Sequence, residues 1–381
     1  MKKITPIILI LLISALICPV MIASAQNVFV HPGVLHSQAS LDKIYQAVKN
    51  KTEPQYGSYK LLEANPLAQA DYKMKGPFKI IARDGEFKYT STKMAADFSA
   101  AYLNALMWAA TKKEAYAKKS LEILEAYADT LQLIPPTNDA PLLAGLEGNK
   151  IVNAAEILRY TYKGITVAQV EKIKKMLVKI FLPVCEDFYK RPPYTNGNWG
   201  AAVTNMYMGS AVFLDDRQMY NKAVDFYLNA HDNGNIEHYV DGVTGQIQES
   251  GRDQIHTSLG IGCLASTCEI AYNQGDDLYG KYNNRLLLGF EYVARYNLGY
   301  DVPFQTYREI TGKYSNLTKI SDKDRGMLIP IYQMVYNHYV RIKGLQMPYT
   351  EKMVAKMQPE GYDPAHTGFG TLLFYSAERK Q

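Results

Sequence analysis

The sequence has few of the features that mark the common cofactor- and metal-dependent enzymes. Tryptophan and cysteine are scarce, with two and four copies among 381 residues, and the formal net charge is only +5. So weak a charge argues against nucleic acid as a partner. The seven histidines show no zinc-site spacing, and there is no phosphate-binding glycine loop, dinucleotide fingerprint or GxSxG motif. We therefore expect neither a metal nor a cofactor.

The first 25 residues are predicted to be an export signal. Two lysines precede an apolar run over residues 7–20, and an Ala-Ser-Ala cleavage site at 23–25 precedes Gln26. A lipoprotein signal cut before Cys18 is the weaker alternative, because bulky Ile17 precedes that cysteine. The apolar run is short for a membrane span, and no later segment is apolar enough for one. The mature chain is expected to be periplasmic or secreted, with no membrane span.

Apolar residues recur with a helical period almost throughout. Between Met94 and Trp108 they follow in steps of four, three, four and three. Further helices are predicted over residues 39–49, 116–131, 149–162, 167–189, 200–213, 216–230, 251–273, 277–296, 324–342 and 350–357. Residues 78–82 and 370–375 are the two strand candidates. Helices in antiparallel pairs without a linker predict one all-α domain over 26–381, an (α/α) toroid or incomplete barrel of helical hairpins.

Some features have a plain structural interpretation. Once the signal is removed, Cys185, Cys263 and Cys268 remain, and all three are expected to be small core residues. The His-Pro-Gly motif at 31–33 is interpreted as a lead-in to the first helix rather than a sugar-facing edge. The thirty tyrosines suit sugar binding, because the ring has a flat apolar face and a polar tip, but they equally suit the wet edges of a helical core.

One polar stretch stands out from the apolar pattern. Glu249, Arg252 and His256 follow one another at i, i+3 and i+7, which places them within about 60° of one another on a helix. Such a face is either a solvated ion-pair surface or a partly buried cluster with perturbed pKa values. The apolar run over 259–265 directly after it favours the buried cluster.

Two further stretches contribute candidate residues. Asn198 and Trp199 lie in a Tyr-Thr-Asn-Gly-Asn-Trp-Gly run just before a helix, where a turn with a helix cap is the ordinary explanation. Tyr307, Arg308 and Tyr314 lie in a segment between two helices that would also suit a surface connection.

Taken together, these segments resemble the alginate-lyase-like α/α-toroid polysaccharide lyases. The shared segments are HPG at 31–33, LLAGLEGNKIVNAAEILRY at 142–160, NGNW at 196–199 and ESGRDQIHTSLGIG at 249–262. The sequence looks most like polysaccharide lyase family 38, whose members cleave alginate or glucuronan. The resemblance covers nearly the whole mature chain, and Glu-x-x-Arg-x-x-x-His is its most specific part.

The resemblance also suggests where the catalytic phenol lies. Family 5 lyases have arginine and tyrosine where this chain has Glu249 and His256, so their catalytic tyrosine has no counterpart there. In the family 38 pattern the phenol comes from a later loop, six residues after an arginine. Arg308 and Tyr314 match that spacing, and Tyr307 is the local competitor.

The implied reaction is β-elimination, which begins with loss of the uronate C5 proton. Donors must neutralise the adjacent carboxylate and stabilise the enolate-like state. The implied catalytic set is Tyr314 as base and acid, Asn198, His256 and Arg308 as donors, and Glu249 as a support that orients His256 or sets its charge. Arg252, Trp199 and Tyr307 are expected to bind the acidic polysaccharide. A phenol ionises only near pH 10, so a nearby cation must favour the phenolate.

Two other functions stay open at this point. An α/α-toroid glycoside hydrolase would use paired carboxylates, namely Glu249 with Asp253 or Asp241. A non-catalytic periplasmic glycan-binding protein would bind the polymer without cutting it. The grouping of arginine, histidine, tyrosine and asparagine, without an obvious lone carboxylate pair, favours the lyase.

Overall fold

Helices make up nearly all the regular structure of the residues that the structure describes. The structure is a computed structural model that describes residues 28–306 and 309–377, so the predicted export signal lies outside it. The helices of the described residues are α1 (Gln38–Lys49), α2 (Gln55–Ala64), α3 (Ser91–Thr111), α4 (Glu114–Thr130), α5 (Ala140–Thr161), α6 (Val167–Met176), α7 (Leu182–Lys190), α8 (Gly197–Leu214), α9 (Arg217–Asn229), α10 (Ile236–Tyr239), α11 (Gln254–Asn273), α12 (Lys281–Asn297), α13 (Tyr332–Tyr336), α14 (Pro348–Met357) and α15 (Gly370–Phe374).

Four long helices form an inner layer. Helices α3, α5, α8 and α11 pack against one another in that order. Every residue of α8 from Gly197 to Phe213 is buried, as expected of a helix that is apolar or small on all sides. Helices α4, α9 and α12 pack outside α3, α8 and α11, and α4 and α9 each bury a single face. The result is two layers of helical hairpins.

The remaining helices close the ring. Helix α12 contacts α14, α13 contacts α14 and α15, α15 contacts α1 and α2, and α1 packs on α3. The predicted all-α toroid is therefore confirmed. The segment after α14 fills the centre of the ring, where Tyr362 donates to Ser99 of α3 over 2.9 Å. The cavities beside this segment, about 20 and 10 Å³, have room for only one or two water molecules.

Several local predictions differ from the structure. The strand expected over 370–375 is wrong, because residues 370–374 form the buried helix α15. A short apolar run that is buried on all sides has no periodicity to distinguish the two states. The strand expected over 78–82 is also wrong, since that segment supplies only one isolated bridge, between Ile80 and Leu133. The helix expected over 324–342 begins only at Tyr332, and α2 was not predicted.

The cysteines and the His-Pro-Gly motif both have structural roles. Cys185, Cys263 and Cys268 are free and buried, which confirms their predicted place in the core. His31 lies between two carboxylates, with Nδ1 2.7 Å from Glu156 and Nε2 2.9 Å from Asp215. The motif thus fastens the N-terminal segment to α5 and to the C-terminal end of α8. In the part of the chain that the structure describes, no helix is long and apolar enough to cross a bilayer.

Candidate active site

The site forms where the N-terminal ends of α8 and α11 meet. Helix α8 begins at Gly197, where a Cβ atom would come within 2.3 Å of the Asn233 carbonyl oxygen, so only glycine fits that approach. Helix α11 begins at Gln254 because Asp253 caps it, accepting from the backbone N–H of His256 over 2.7 Å. Glu249 and Arg252 therefore lie in a turn before the helix, and the continuous helical face expected for Glu249, Arg252 and His256 is wrong.

The buried carboxylate of Glu249 joins the two helix ends. It accepts from the backbone N–H of Asn198 over 2.9 Å and from the amide of Asn198 over 2.7 and 2.8 Å. Nη1 of Arg252 donates to it over 2.7 Å, and the hydroxyl of Tyr239 over 3.2 Å. Burial raises the pKa of Glu249, although Arg252 and Asn198 favour its charged form. Glu249 therefore anchors Arg252 to the start of α8.

Arg252 also holds the imidazole of His256. Its Nη2 lies 3.0 Å from Nε2 of His256, while Nδ1 of His256 is 2.8 Å from both carboxylate oxygens of Asp253. Burial opposes the charged form of Asp253, but the bonds from His256 and the charge of Arg252 outweigh it and lower the pKa to about 2. The carboxylate that orients His256 is thus Asp253, whereas Glu249, which the sequence predicted to orient His256 or set its charge, bonds to Arg252 and acts on His256 only by its charge.

A loop after α12 brings Tyr314 to this cluster. Buried Glu309 organises the loop, accepting from the backbone N–H of Thr311 over 2.8 Å and of Tyr314 over 3.3 Å. Asn233 donates to the same carboxylate over 2.6 Å, which ties the loop to the segment beside Gly197. The position of Tyr314 is therefore fixed through contacts that span much of the sequence.

The phenol of Tyr314 lies between Asn196 and the charged cluster. Its hydroxyl donates a short hydrogen bond to Oδ1 of Asn196. Burial raises the pKa of Tyr314 to about 12, with the charges of Glu249 and Asp253 acting in the same direction, while Arg252 opposes them by its charge and by a hydrogen bond. Tyr314 is thus a neutral phenol at neutral pH, with a guanidinium in contact.

An open cleft of about 630 Å³ adjoins the phenol. Arg191 and Lys313 contribute basic groups, and Tyr194, Trp199 and Tyr314 contribute aromatic rings. Among the described residues that line the cleft, none is acidic. Trp199 is largely buried and packs against Tyr194 with ring centroids 4.9 Å apart, so only part of its surface reaches the cleft.

The structure brings together most of the residues that the sequence singled out. Those that it gathers at one place are Asn198, Trp199, Glu249, Arg252, His256 and Tyr314. Tyr307 and Arg308 lie outside the described residues. The surroundings of Asn198 differ from the expectation, because it is buried and its amide N–H groups face Glu249 instead of the cleft.

Sequence reasoning missed three residues that shape the site. Asp253 was considered only as half of a carboxylate pair, although an Asp three residues before His256 is a recognisable helix cap. Asn196 lies in the NGNW segment but had no assigned role, and Glu309 had none either, because their partners lie 118 and 76 residues away in the sequence. Within residues 28–306 and 309–377, no group of three or more His, Cys, Asp and Glu side chains has a metal-binding arrangement.

Comparisons with known proteins agree with this architecture. A family model described as alginate lyase matches residues 41–302. Alginate lyase A1-III from Sphingomonas species A1 is 15% identical, with a TM-score of 0.56, 84% of this chain covered and 94% of that chain. An alginate lyase from Bacteroides ovatus is 14% identical, with a TM-score of 0.57 and coverage of 92% and 100%.

A third neighbour is more distant. Chondroitin AC lyase from Streptomyces coelicolor A3, in complex with chondroitin sulphate, is 11% identical with a TM-score of 0.52, and the match covers 84% of this chain and 44% of that chain. At these identities the likeness to all three structures is one of fold. No curated protein sequence matches this chain.

Proposed function

This chain belongs to the alginate lyase family and is a polysaccharide lyase, and we propose that it cleaves alginate or glucuronan by β-elimination. One observation carries the proposal: the phenol of Tyr314 lines an open cleft, donates to Asn196, and is influenced by the charge and hydrogen bonding of Arg252. A phenol and a fixed cation are the groups that proton removal next to a carboxylate requires.

The cleft suits an acidic polymer. Lys313 supplies positive charge and so does Arg191, although Arg191 is paired with Asp187. No acidic side chain of the described residues lines the cleft, so a chain of uronates meets no like charge on its walls. Tyr194 and the exposed part of Trp199 offer apolar surface for the faces of sugar rings. These features support a polyuronate substrate over a neutral glycan.

In the proposed reaction Tyr314 acts first as base and then as acid. The phenolate oxygen takes the C5 proton, and the electrons of the C5–H bond form the C4–C5 double bond. The bond between C4 and the bridging oxygen breaks, and that oxygen takes the proton from the phenol. The products are a new hydroxyl end and an unsaturated uronate end, and Tyr314 returns to its phenolate form.

The geometry refines which groups face the uronate carboxylate. Arg252 donates one N–H to Glu249 and one to His256. Its remaining N–H groups are available to the phenol and the substrate. In this proposal His256 supports Arg252, and Asn198 supports Glu249, so neither needs to touch the sugar. Arg308 remains the second predicted carboxylate donor.

The contacts of the carboxylates weigh against a glycoside hydrolase. Glu249 and Asp253 are buried and occupied by Asn198, Arg252 and His256. Asp241 closes a turn by accepting from the backbone N–H of Thr244 over 2.7 Å. A hydrolase needs two carboxylates that flank the scissile bond and leave room for water or sugar, and these three are engaged within the protein.

Digestion of polymannuronate, polyguluronate and glucuronan tests the proposal. A lyase creates unsaturated ends that absorb ultraviolet light together with new reducing ends. New reducing ends without that absorbance would mean a hydrolase, and binding without any new ends would mean a glycan-binding protein. Tyr314→Phe serves as the matched inactive control, because it keeps the ring and removes only the hydroxyl.

We also propose that the enzyme acts in the periplasm or outside the cell. The basis is the sequence alone, namely two lysines, an apolar run and the Ala-Ser-Ala site before Gln26. N-terminal sequencing of the protein recovered from the periplasm or medium is expected to begin at Gln26. A mature protein that keeps its first residues would contradict this.

A further inference from the structure

Asn196 occupies a capping position without capping. It is the N-cap residue of α8, yet its side chain makes no bond to the first turn of that helix. Asparagine at this position normally accepts from one of the first backbone N–H groups. Here Gln248 accepts from the N–H of Gly197 over 3.1 Å, and Glu249 accepts from the N–H of Asn198 over 2.9 Å. Because other side chains satisfy the helix, the amide of Asn196 is free for another purpose.

That amide contacts the phenol of Tyr314. The Tyr314 hydroxyl donates to Oδ1 of Asn196, and Arg252 faces the same phenol from the start of α11. The phenol proton is therefore directed at a neutral acceptor, which suits the protonated state of Tyr314. An amide carries a donor and an acceptor side by side, so a half-turn about its last side-chain bond exchanges Oδ1 for the Nδ2–H group.

We propose that Asn196 is a positioning residue for Tyr314, which accepts from the neutral phenol and, after its amide turns over, donates to the phenolate. The inference rests on the proposed function, since it assigns the partner of the proposed base. It explains how one tyrosine is held in place both before and after it takes the C5 proton. A carboxylate at position 196 could accept from the phenol but would repel the phenolate.

Asn196→Asp is the sharpest test, because it keeps the size and shape of a half-buried side chain on which the first turn of α8 does not depend. The other charged groups that face Tyr314 stay the same: Arg252, Glu249 and Asp253 from the start of α11, and Glu309 from its own loop. A new negative charge in contact with the phenol is expected to raise its pKa by about one to three units. We expect kcat at neutral pH to fall at least tenfold, and the alkaline rise of kcat to move to higher pH.

Asn138→Asp is the matched control. Asn138 is exposed and lines the same cleft, but no hydrogen bond joins it to Tyr314. The same added charge is expected to raise KM for a polyanion and to leave the alkaline rise of kcat where it is. If Asn196→Asp has the kcat and pH profile of the unchanged enzyme, or if Asn138→Asp moves the profile equally, the inference is overturned.

A second readout does not depend on activity. The hydrogen bond between Tyr314 and Asn196 predicts an observable exchangeable proton resonance of the phenol hydroxyl. It is expected to vanish in Tyr314→Phe and in Asn196→Ala and to persist in Asn138→Asp. Its absence from the unchanged protein contradicts the role of Asn196. If the resonance behaves as expected but no polyuronate yields unsaturated ends, the contact stands and the proposed function fails, so the two failures are distinct.

Discussion

Nη2 of Arg252 lies 3.0 Å from Nε2 of His256, and this contact assigns the proton of the imidazole. A guanidinium can only donate, so Nε2 must accept, and the ring proton lies on Nδ1, where Asp253 accepts it over 2.8 Å. The same guanidinium donates to Glu249 over 2.7 Å. Arg252 is therefore held by two acceptors, one on each terminal nitrogen, and this fixes the orientation of its guanidinium.

Arg252→Lys is expected to lower kcat/KM by about 100-fold, the cost of removing a well-placed donor from a charged transition state. An ammonium cannot reproduce the planar fork that reaches Glu249 and His256 together. Arg159→Lys is the control, because Arg159 bonds to Phe213 and Asp215 at the other end of α8. Steady-state kinetics on both variants checks this, and equal activity of Arg252→Lys and Arg159→Lys would contradict the role of Arg252.

Asn198→Asp is expected to lower the free energy of unfolding and to have a smaller effect on substrate binding. The new carboxylate would face Glu249 where the amide now donates over 2.7 and 2.8 Å, and both groups are buried. Leaving a buried charge uncompensated costs about 3 kcal/mol or more of the free energy of unfolding. Denaturant unfolding measures this loss, with Asn138→Asp as the exposed control. A variant of unchanged stability with a raised KM would instead place Asn198 at the substrate.

The rate is expected to rise with pH through the alkaline range. The active form of the base is the phenolate, and the pKa of Tyr314 is raised to about 12. Below that value, each unit of increase in pH therefore raises the ionised fraction about tenfold. The logarithm of kcat/KM should therefore increase with pH with a slope of about one while the protein stays folded. A profile that is flat or falls above neutral pH would exclude Tyr314 as the base.

His31 is expected to stabilise the fold mainly at acid pH. Burial lowers its pKa, but the hydrogen bonds and charges of Glu156 and Asp215 outweigh burial and raise it above 6.5. Its stabilising effect is full below about pH 6.5 and is lost as the pH rises through the raised value. His31→Gln should lower the free energy of unfolding by about 2 kcal/mol at acid pH.

The loss in His31→Gln should be smaller at alkaline pH, and kcat should not change. His31 contacts Asp215, which lies about 25 Å along α8 from Asn198 at the helical rise per residue. Urea unfolding at two pH values measures the loss of stability, and kinetics on the same samples measures kcat. A greater loss of stability at alkaline pH would contradict the assigned role.

The fold was predictable because helical periodicity and short connections are local properties of the sequence. The inner helices α3, α8 and α11 carry long apolar stretches, so they are recognised as helices even when their ends are misplaced by a few residues. Helix ends and short segments were less predictable. Asp253 starts α11 later than periodicity alone suggested, and the apolar run at 370–374 reads equally well as strand or helix until its neighbours are known.

The candidate site was predictable in its residue types and less so in its contacts. Arg252 and His256 stood out because charged groups precede an apolar run. Whether Glu249 or Asp253 bonds to His256 depends on the turn that ends at Asp253, and periodicity does not reveal that turn. The contact between Asn196 and Tyr314 joins residues 118 positions apart, and it depends on the packing of α8, α11 and α12.

The most direct test of the account is the rate at which unsaturated ends form from polyuronates with the unchanged enzyme, Tyr314→Phe and Tyr307→Phe, each checked for folding by circular dichroism. The account predicts that the unchanged enzyme and Tyr307→Phe produce such ends, while Tyr314→Phe binds the polymer and produces almost none. Full activity of Tyr314→Phe, or no unsaturated ends from any polyuronate with the unchanged enzyme, would contradict it.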